Sequence, residues 1–303
     1  QKVGELKLEK PIEVLFEGVD DSYKPLENDE INSEFFNMLN EKVFEKFAFL
    51  FVGQWTKGDY GEDRKNISTM IKVFYEAFAN KKKQPALILK TNGATFSTLD
   101  KVDVLKKIKN VKNKFPSDWK LPNVYLLHGD LSKKEMNYLY NHPKVKAMVS
   151  FTHGEGFGRP LLEATMTGLP VIASGWSGQL DFLDRDKSLL IQGNFEKVPK
   201  SVVWQDIIIE NSQWFTVDET SAYKAFNYVF KNNFDVKKNA KSLMNINREK
   251  FTLDKMSKKL DKIITPYIDK VPSQVKLNLP KLKKVGNSEL PKIKLPKLKK
   301  ITE

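Results

Sequence analysis

The sequence predicts an α/β protein built on a doubly wound parallel sheet, and three observations lead there. Continuous apolar runs such as Phe47-Ala48-Phe49-Leu50-Phe51-Val52-Gly53 read as strands buried on both faces. Segments with apolar residues at helical spacing alternate with these runs, as in Ile67, Met70, Ile71, Phe74 and Phe78. The strand runs end in glycine or polar loops, where parallel sheets gather their ligands.

Taken in order, Ile12-Glu13-Val14-Leu15-Phe16 followed by Gly18-Val19-Asp20-Asp21 predicts a short strand and a turn. Residues 31–43 predict a short helix with Phe35, Leu39 and Val43 along one face. The first buried strand, 47–53, leads into a helix over 66–80. Residues 86–90 form a second strand, and a polar helix follows through Val104 and Val111. The third strand, 124–127, ends at His128-Gly129, after which Ser132 caps a helix and Glu135 completes a capping box. A fourth strand over 145–151, a helix over 161–167 and a fifth strand over 171–174 come next, and 179–183 opens another helix. This alternation is Rossmann-like.

Beyond Leu190 the pattern weakens. Residues 217–230 and 236–264 predict amphipathic helices that Pro272 ends, and Trp204 and Trp214 are expected in the core rather than as a stacking platform. The tail repeats Leu279-Pro280-Lys281-Leu282-Lys283, Leu290-Pro291-Lys292-Ile293-Lys294 and Leu295-Pro296-Lys297-Leu298-Lys299. Each proline removes a backbone donor, which excludes helix and predicts an extended tail. It reads as a strap laid over the body, leucines in and lysines out, or as a polyanion-binding arm. The domain reading is therefore a linking segment over 1–46, a Rossmann-like domain over 47–215, C-terminal helices over 216–270 and the tail over 271–303.

Composition narrows the chemistry. The chain has 303 residues and a net charge of +13, yet nine lysines against two acids lie between Lys276 and Glu303. More than half of the excess charge thus sits in the tail, where DNA or an anionic surface is the sharper partner and a solvated face the plainer reading. Cysteine is absent, which excludes disulfides and thiol chemistry and fits a reducing, cytoplasmic setting. Three histidines, His128, His142 and His153, make a multi-histidine metal centre an unattractive reading. No apolar run is long enough to span a membrane. The N-terminus, Gln1-Lys2-Val3-Gly4, carries neither a signal-like stretch nor an initiator methionine, which suggests a trimmed chain or one that begins partway through a longer protein.

The richest segment is Phe151-Thr152-His153-Gly154-Glu155-Gly156-Phe157-Gly158-Arg159-Pro160-Leu161-Leu162-Glu163-Ala164. It follows a buried strand and opens a helix, with Pro160 in the first turn, where a missing N–H is harmless. The glycines let backbone approach a ligand, and free N–H groups at the helix start favour an anion. Glu155 in the loop and Glu163 one turn into the helix flank one pocket. Carboxylates beside an anion site are suited to accept hydrogen bonds from the diols of a hexose or a ribose.

In this wording the segment resembles the E-x7-E signature of family-four retaining glycosyltransferases (glycosyltransferase group 1), whose fold is GT-B. Gly168-Leu169-Pro170-Val171-Ile172-Ala173-Ser174 and the loop Gly175-Trp176-Ser177-Gly178-Gln179-Leu180-Asp181 extend the resemblance. It covers residues 47–190, the C-terminal, donor-binding half of that fold, and the wording is closest to phage-encoded members. The resemblance implies retaining transfer of a sugar from a nucleotide-diphosphate sugar to a hydroxyl. Glu155 would hold the transferred sugar and support charge at its anomeric carbon, and Glu163 would hold the ribose. Gly156, Phe157, Gly158, Ser177, Gly178 and Gln179 would form the donor loops, the N–H groups of 177–179 meeting the diphosphate, with Gly53 beneath. Lys65 and Arg64 would neutralise the leaving diphosphate, so that neither a metal nor another cofactor is implied. His128 is a candidate for the base pocket or for a satisfied structural histidine, and His153 for a phosphate contact or for ordering the loop.

Two departures stand out. Gln54 occupies the position where the family carries arginine, so Arg64 or Arg159 would substitute, and the loop 54–63 is long. Too few residues precede Phe47 for the family's acceptor-binding N-terminal domain, which would then be missing, replaced or supplied in trans. The acceptor is either a surface glycan or lipid sugar, or a hydroxymethylated DNA base. The competing reading is a sugar-nucleotide-binding or assembly module without turnover.

Overall fold

The computed structural model describes residues 2–3, 6–7, 11–26, 33–58 and 60–268. The chain divides into a unit of residues 1–263 and a second from 264 onward, of which only 264–268, the end of the last helix, are described. The repeating tail, 271–303, lies outside the described residues.

Two short strands, β1 (Lys2–Val3) and β2 (Leu6–Lys7), pair antiparallel, and helix α1 (Glu34–Lys42) leads to the sheet. The sheet has six parallel strands: β3 (Ala48–Gln54), β4 (Ala86–Asn92), β5 (Val124–Leu127), β6 (Val145–Ser150), β7 (Val171–Ser174) and β8 (Leu189–Ile191). Their spatial order is β5-β4-β3-β6-β7-β8. The chain therefore builds outward from β3 in one direction, then returns and builds outward from β6 in the other. The crevice between the ends of β3 and β6 is the topological switch point, where open α/β sheets take their ligands.

Strand periodicity explains the two cores. Phe49 and Phe51 of β3 join Leu87, Leu89, Ala147 and Val149 on one face, while Ala48, Leu50, Ala86, Ile88 and Met148 point to the other. Helices α2 (Ile67–Phe78), α3 (Thr98–Lys112) and α6 (Glu219–Lys231) cover the first face. On the second lie α1, α4 (Lys133–Asn141), α5 (Arg159–Met166) and most of α7 (Asn233–Lys250). Phe226 of α6 meets Phe49 at 4.9 Å and Phe151 at 5.7 Å between ring centres. Each such buried ring contributes about 1.5–3 kcal/mol, which holds α6 to the sheet as part of the core. Ser132 and Glu135 form the expected capping box on α4.

Several expectations are corrected. Residues 12–16 form no strand, and Ile12, Val14 and Leu15 stay exposed. The chain is pinned just beyond them, where Val19 donates to the Phe251 carbonyl at 2.8 Å and accepts from Leu253 N–H at 2.9 Å. Those same bonds divide the helix expected over 236–264 into α7 and α8 (Leu253–Ile268), because they draw the backbone at 251–253 out of a helical ladder. The helix expected at 179–183 is only a 3₁₀ turn over Gly178–Asp181. An antiparallel hairpin, β9 (Gly193–Lys197) and β10 (Gln213–Val217), fills the stretch whose pattern is weak. Trp204, expected in the core, is 55% exposed in the loop of that hairpin. No described helix is long and apolar enough to cross a membrane.

Candidate functional site

The site begins with how α2 starts. Asp63, almost fully buried, accepts from Ile67 N–H at 3.0 Å and from the Ser68 hydroxyl at 3.1 Å, satisfying the first amides of the helix. Asn66 adopts a left-handed conformation at φ 52°, which turns the chain sharply and leaves Arg64 and Lys65 at the end of β3. The loop after β6 meets them across the switch point. The Arg64 carbonyl accepts from His153 N–H at 3.1 Å, and the Arg64 guanidinium donates to the Gly154 carbonyl at 3.2 Å.

Lys65 and Glu155 form a direct ion pair, with each side chain only 12% exposed, and Arg64 lies 4.0 Å from the other Glu155 oxygen. Burial pushes the Lys65 ammonium below its ordinary pKa; Glu155 opposes the shift and Arg64 adds to it. Two cations and one carboxylate leave this point net positive and ready for an anion.

The loop after β7 locks Glu155 in place. Ser177 sits at φ 73°, an uncommon conformation for a residue with a side chain, and its hydroxyl accepts from Glu155 N–H at 2.7 Å. Gly178 N–H donates to the Glu155 carbonyl at 3.0 Å. That amide, expected free for a diphosphate, is committed to the loop, which also explains why no full helix follows. Gln179 is fully buried and donates to the Ser174 carbonyl at 3.0 Å, so its side chain braces the loop. Phe157 likewise turns inward, stacking on Phe16 at 5.9 Å and meeting Phe182 at 5.3 Å. Gly156 is exposed, whereas Gly158, at φ 89°, caps α5. Gly53 lies at the end of β3 beside the exposed Gln54.

Glu163 is buried inside the first turns of α5. It accepts from Arg159 Nε at 3.0 Å and from the Tyr140 hydroxyl at 3.2 Å, and Tyr23 also donates to it. Burial raises its pKa above the usual carboxylate value, while Arg159 and the two tyrosines oppose the shift. An ionised carboxylate has about four acceptor positions, so three donors leave about one open. His128 stands at the end of β5, at the far edge of the sheet, with Nε2 2.9 Å from Asp100. Asp100 feels burial, but His128 and the Gly93, Ala94 and Thr95 amides outweigh it and bring its pKa to about 2.

Sequence reasoning missed Tyr23, Tyr140 and Asp100, the partners that orient Glu163 and His128. Their only local signals were aromatic or acidic residues on helical or turn segments, which do not announce partners far along the chain.

His153 orders the loop. Its ring Nδ1 lies 2.8 Å from the Phe215 carbonyl, and Trp214 stacks on it at 3.8 Å. Burial brings both His153 and His142 down to a pKa of about 4. Both are neutral when folded, so the unfolded chain binds more protons once the pH drops below 6.5. Stability is therefore expected to fall between pH 6.5 and 4, by roughly 3 kcal/mol per histidine at most. Urea midpoints at pH 7 and pH 4.5 measure this, and replacing both histidines by glutamine should flatten the difference.

Among known proteins, the family model for glycosyl transferases group 1 matches residues 62–202. No curated relative matches the chain. Among solved structures, the HepE protein of Anabaena, in complex with UDP and glucose, superimposes with a TM-score of 0.57 at 14% identity, over 84% of this chain and 57% of that one. A glycosyltransferase of Rickettsia africae gives a TM-score of 0.58 at 13% identity, over 85% and 57%. The C-terminal domain of a glycosyl transferase group 1 family protein (LpcC) from Francisella tularensis gives 0.50 at 16% identity, over 78% of this chain and 100% of that domain. The chain thus spans a little over half the length of the first two. Family match and fold likeness fall on the same segment, the one that carries Arg64, Lys65, Glu155 and Glu163: residues 62–202 resemble a glycosyl transferase group 1 domain, and the α/β fold is like that of these solved structures.

Proposed function

We propose that this chain binds a nucleotide-diphosphate sugar at the switch point and transfers the sugar, with retention, to a hydroxyl acceptor. The observation that carries this reading is the buried Lys65–Glu155 pair, with Arg64 beside it, between the ends of β3 and β6. Without ligand, the ammonium and carboxylate satisfy each other. When the donor enters, its diphosphate takes Lys65 and Arg64, and the freed carboxylate accepts hydrogen bonds from the sugar hydroxyls. Cations fixed before the reaction stabilise the charge that develops on the departing diphosphate, and a carboxylate beside the ring stabilises the opposite charge at the anomeric carbon.

The nucleoside lies toward the other edge. Glu163 supplies its open acceptor position to the ribose, and Arg159, half-exposed, can yield a second. His128, oriented by Asp100, borders the base. That neighbours in fold have been solved with UDP and glucose supports a sugar nucleotide as ligand for a site of this build.

The test is a thermal-shift panel of uridine-, guanosine- and adenosine-diphosphate sugars. One of them is expected to stabilise the protein, by an amount set by its concentration over its dissociation constant. Glu163→Ala should reduce that shift by about tenfold in apparent affinity, as befits the loss of a charged hydrogen-bond acceptor. An unchanged shift would remove the ribose assignment. Release of nucleoside diphosphate then separates an enzyme from a module that binds without turnover.

A further inference from the structure

The hairpin β9–β10 is used by none of the donor chemistry above, yet it is fastened to the site at both ends. Phe215 N–H donates to the His153 carbonyl at 3.3 Å, and His153 Nδ1 returns the contact to the Phe215 carbonyl at 2.8 Å. At the other end Lys57 donates to the Val203 carbonyl at 3.1 Å, and the Ser201 hydroxyl bonds to Glu62. The loop between the hairpin strands is thereby held over the segment that precedes Arg64.

Two adjoining clefts, of about 260 and 340 Å³, open beneath it, and Arg64 and Ile208 line both. Trp204 walls the first, and Trp176, Ile207, Ile209 and Ser212 wall the second beside Gly154. Trp176 is 42% exposed, Ile207 62% and Ile209 65%, so a band of large apolar surface faces solvent within reach of the Glu155 loop. Flat indoles with interspersed polar groups suit a sugar ring, whose C–H face is apolar and whose rim is hydroxylated.

Position selects which sugar. His128 ends β5 at one edge of the sheet, and the hairpin continues from β8 at the other. The hairpin is tied back to His153 in the loop after β6, and three strand spacings of about 4.8 Å, about 14 Å in all, separate the ends of β5 and β6. A donor with its base at β5 and its sugar at Glu155, two residues from His153, meets the hairpin with its sugar end, so the hairpin faces what lies beyond the sugar. Retention adds a stereochemical constraint: the new bond forms on the face from which the diphosphate departs. The acceptor must therefore approach beside the cations that hold the diphosphate, and Arg64, one of those two, lines both clefts.

We propose that this two-part cleft is the acceptor subsite and that it seats a sugar ring against Trp176 and Trp204; the proposal rests on the donor reading above. In the transfer, the acceptor oxygen bonds to the anomeric carbon as the bond from that carbon to the diphosphate oxygen breaks. The acceptor proton passes to the leaving diphosphate, which gives a glycoside and a nucleoside diphosphate with nothing oxidised or reduced.

The experiment uses the full chain with UDP, GDP and ADP, and with maltose, cellobiose and mannobiose as saccharide probes. Thermal shift reads the nucleotide, and saturation-transfer NMR reads the saccharide. At least one saccharide should bind in the presence of the stabilising nucleotide. Trp204→Ala and Ile207→Ser, both at exposed positions outside the donor site, should weaken that saccharide by about tenfold and leave the nucleotide shift unchanged. A nucleotide shift with no saccharide binding, or with saccharide binding equal in both variants, overturns the subsite alone. No shift with any nucleotide overturns the donor reading and the subsite with it. Binding of hydroxymethylcytosine duplex, lost in Trp204→Ala and unaccompanied by saccharide binding, overturns the sugar as occupant.

Discussion

Glu155→Gln is expected to lower turnover of the sugar nucleotide by about 10²–10³-fold, the range seen when one preorganised electrostatic group is removed from a transition state. Glutamine keeps the length of the side chain and can still accept from a sugar hydroxyl, so binding should change far less than rate. The difficulty is that Glu155 also neutralises a nearly buried lysine, and removing one partner of such a pair can cost about 3–5 kcal/mol when the other stays charged. Burial already pushes the Lys65 ammonium below its ordinary pKa, and loss of the Glu155 carboxylate, which opposes that shift, acts in the same direction. A double variant, Lys65→Met with Glu155→Gln, separates the two effects. Its urea midpoint should recover toward the parent value, because no uncompensated charge remains, while its turnover should stay at or below that of Glu155→Gln. Turnover by Glu155→Gln within about threefold of the parent, less than one kcal/mol of barrier, would deny the carboxylate its role at the anomeric carbon.

How legible the molecule was depends on the range over which each feature is determined. The five expected buried strands and the helix over 67–78 are set by local apolar periodicity and stand within one or two residues of where the sequence puts them, and the polar helix expected through Val104 and Val111 is present over 98–112. The capping box at Ser132 is likewise local, three residues from donor to acceptor. The glycine-rich loop and Glu155 could be read because strand, loop and helix start follow one another directly. The hairpin was illegible: β9 and β10 are short, and the fifteen residues joining them carry exposed Trp204, Ile207 and Ile209, which any hydropathy reading sends inward. The break between α7 and α8 was also hidden, because its cause, the backbone of Val19, lies more than two hundred residues away. Gln179 shows the same limit within the site. Its place in the motif suggested ligand contact, and its burial against Ser174 could be known only once the β7 turn was formed.

Gly178→Ala is expected to be the most damaging single methyl that can be added to the site. A Cβ there would lie 2.0 Å from the Gly156 carbonyl oxygen, 2.6 Å from its carbon and 2.9 Å from the Glu155 oxygen, all of them backbone atoms that no side-chain rotation can clear. The two loops must separate, breaking the Gly178–Glu155 bond and pulling the Ser177 hydroxyl from the Glu155 amide. Overpacking of this kind costs about 1–3 kcal/mol and often more against rigid backbone, and two lost hydrogen bonds add about 1 kcal/mol each. Gly156→Ala, in the same loop, isolates what the ligand needs from what the fold needs. No atom lies within 4 Å of the added methyl, and the residue does not occupy the left-handed region, so stability should change by less than about 0.5 kcal/mol. If the glycine serves the close approach of a sugar nucleotide, that methyl stands where the ligand must come, and nucleotide binding should weaken by at least about tenfold in a protein whose urea midpoint is unaltered. Unimpaired binding in Gly156→Ala would mean that the ligand does not pass over this loop, and Glu155 would then lie behind it for some other reason.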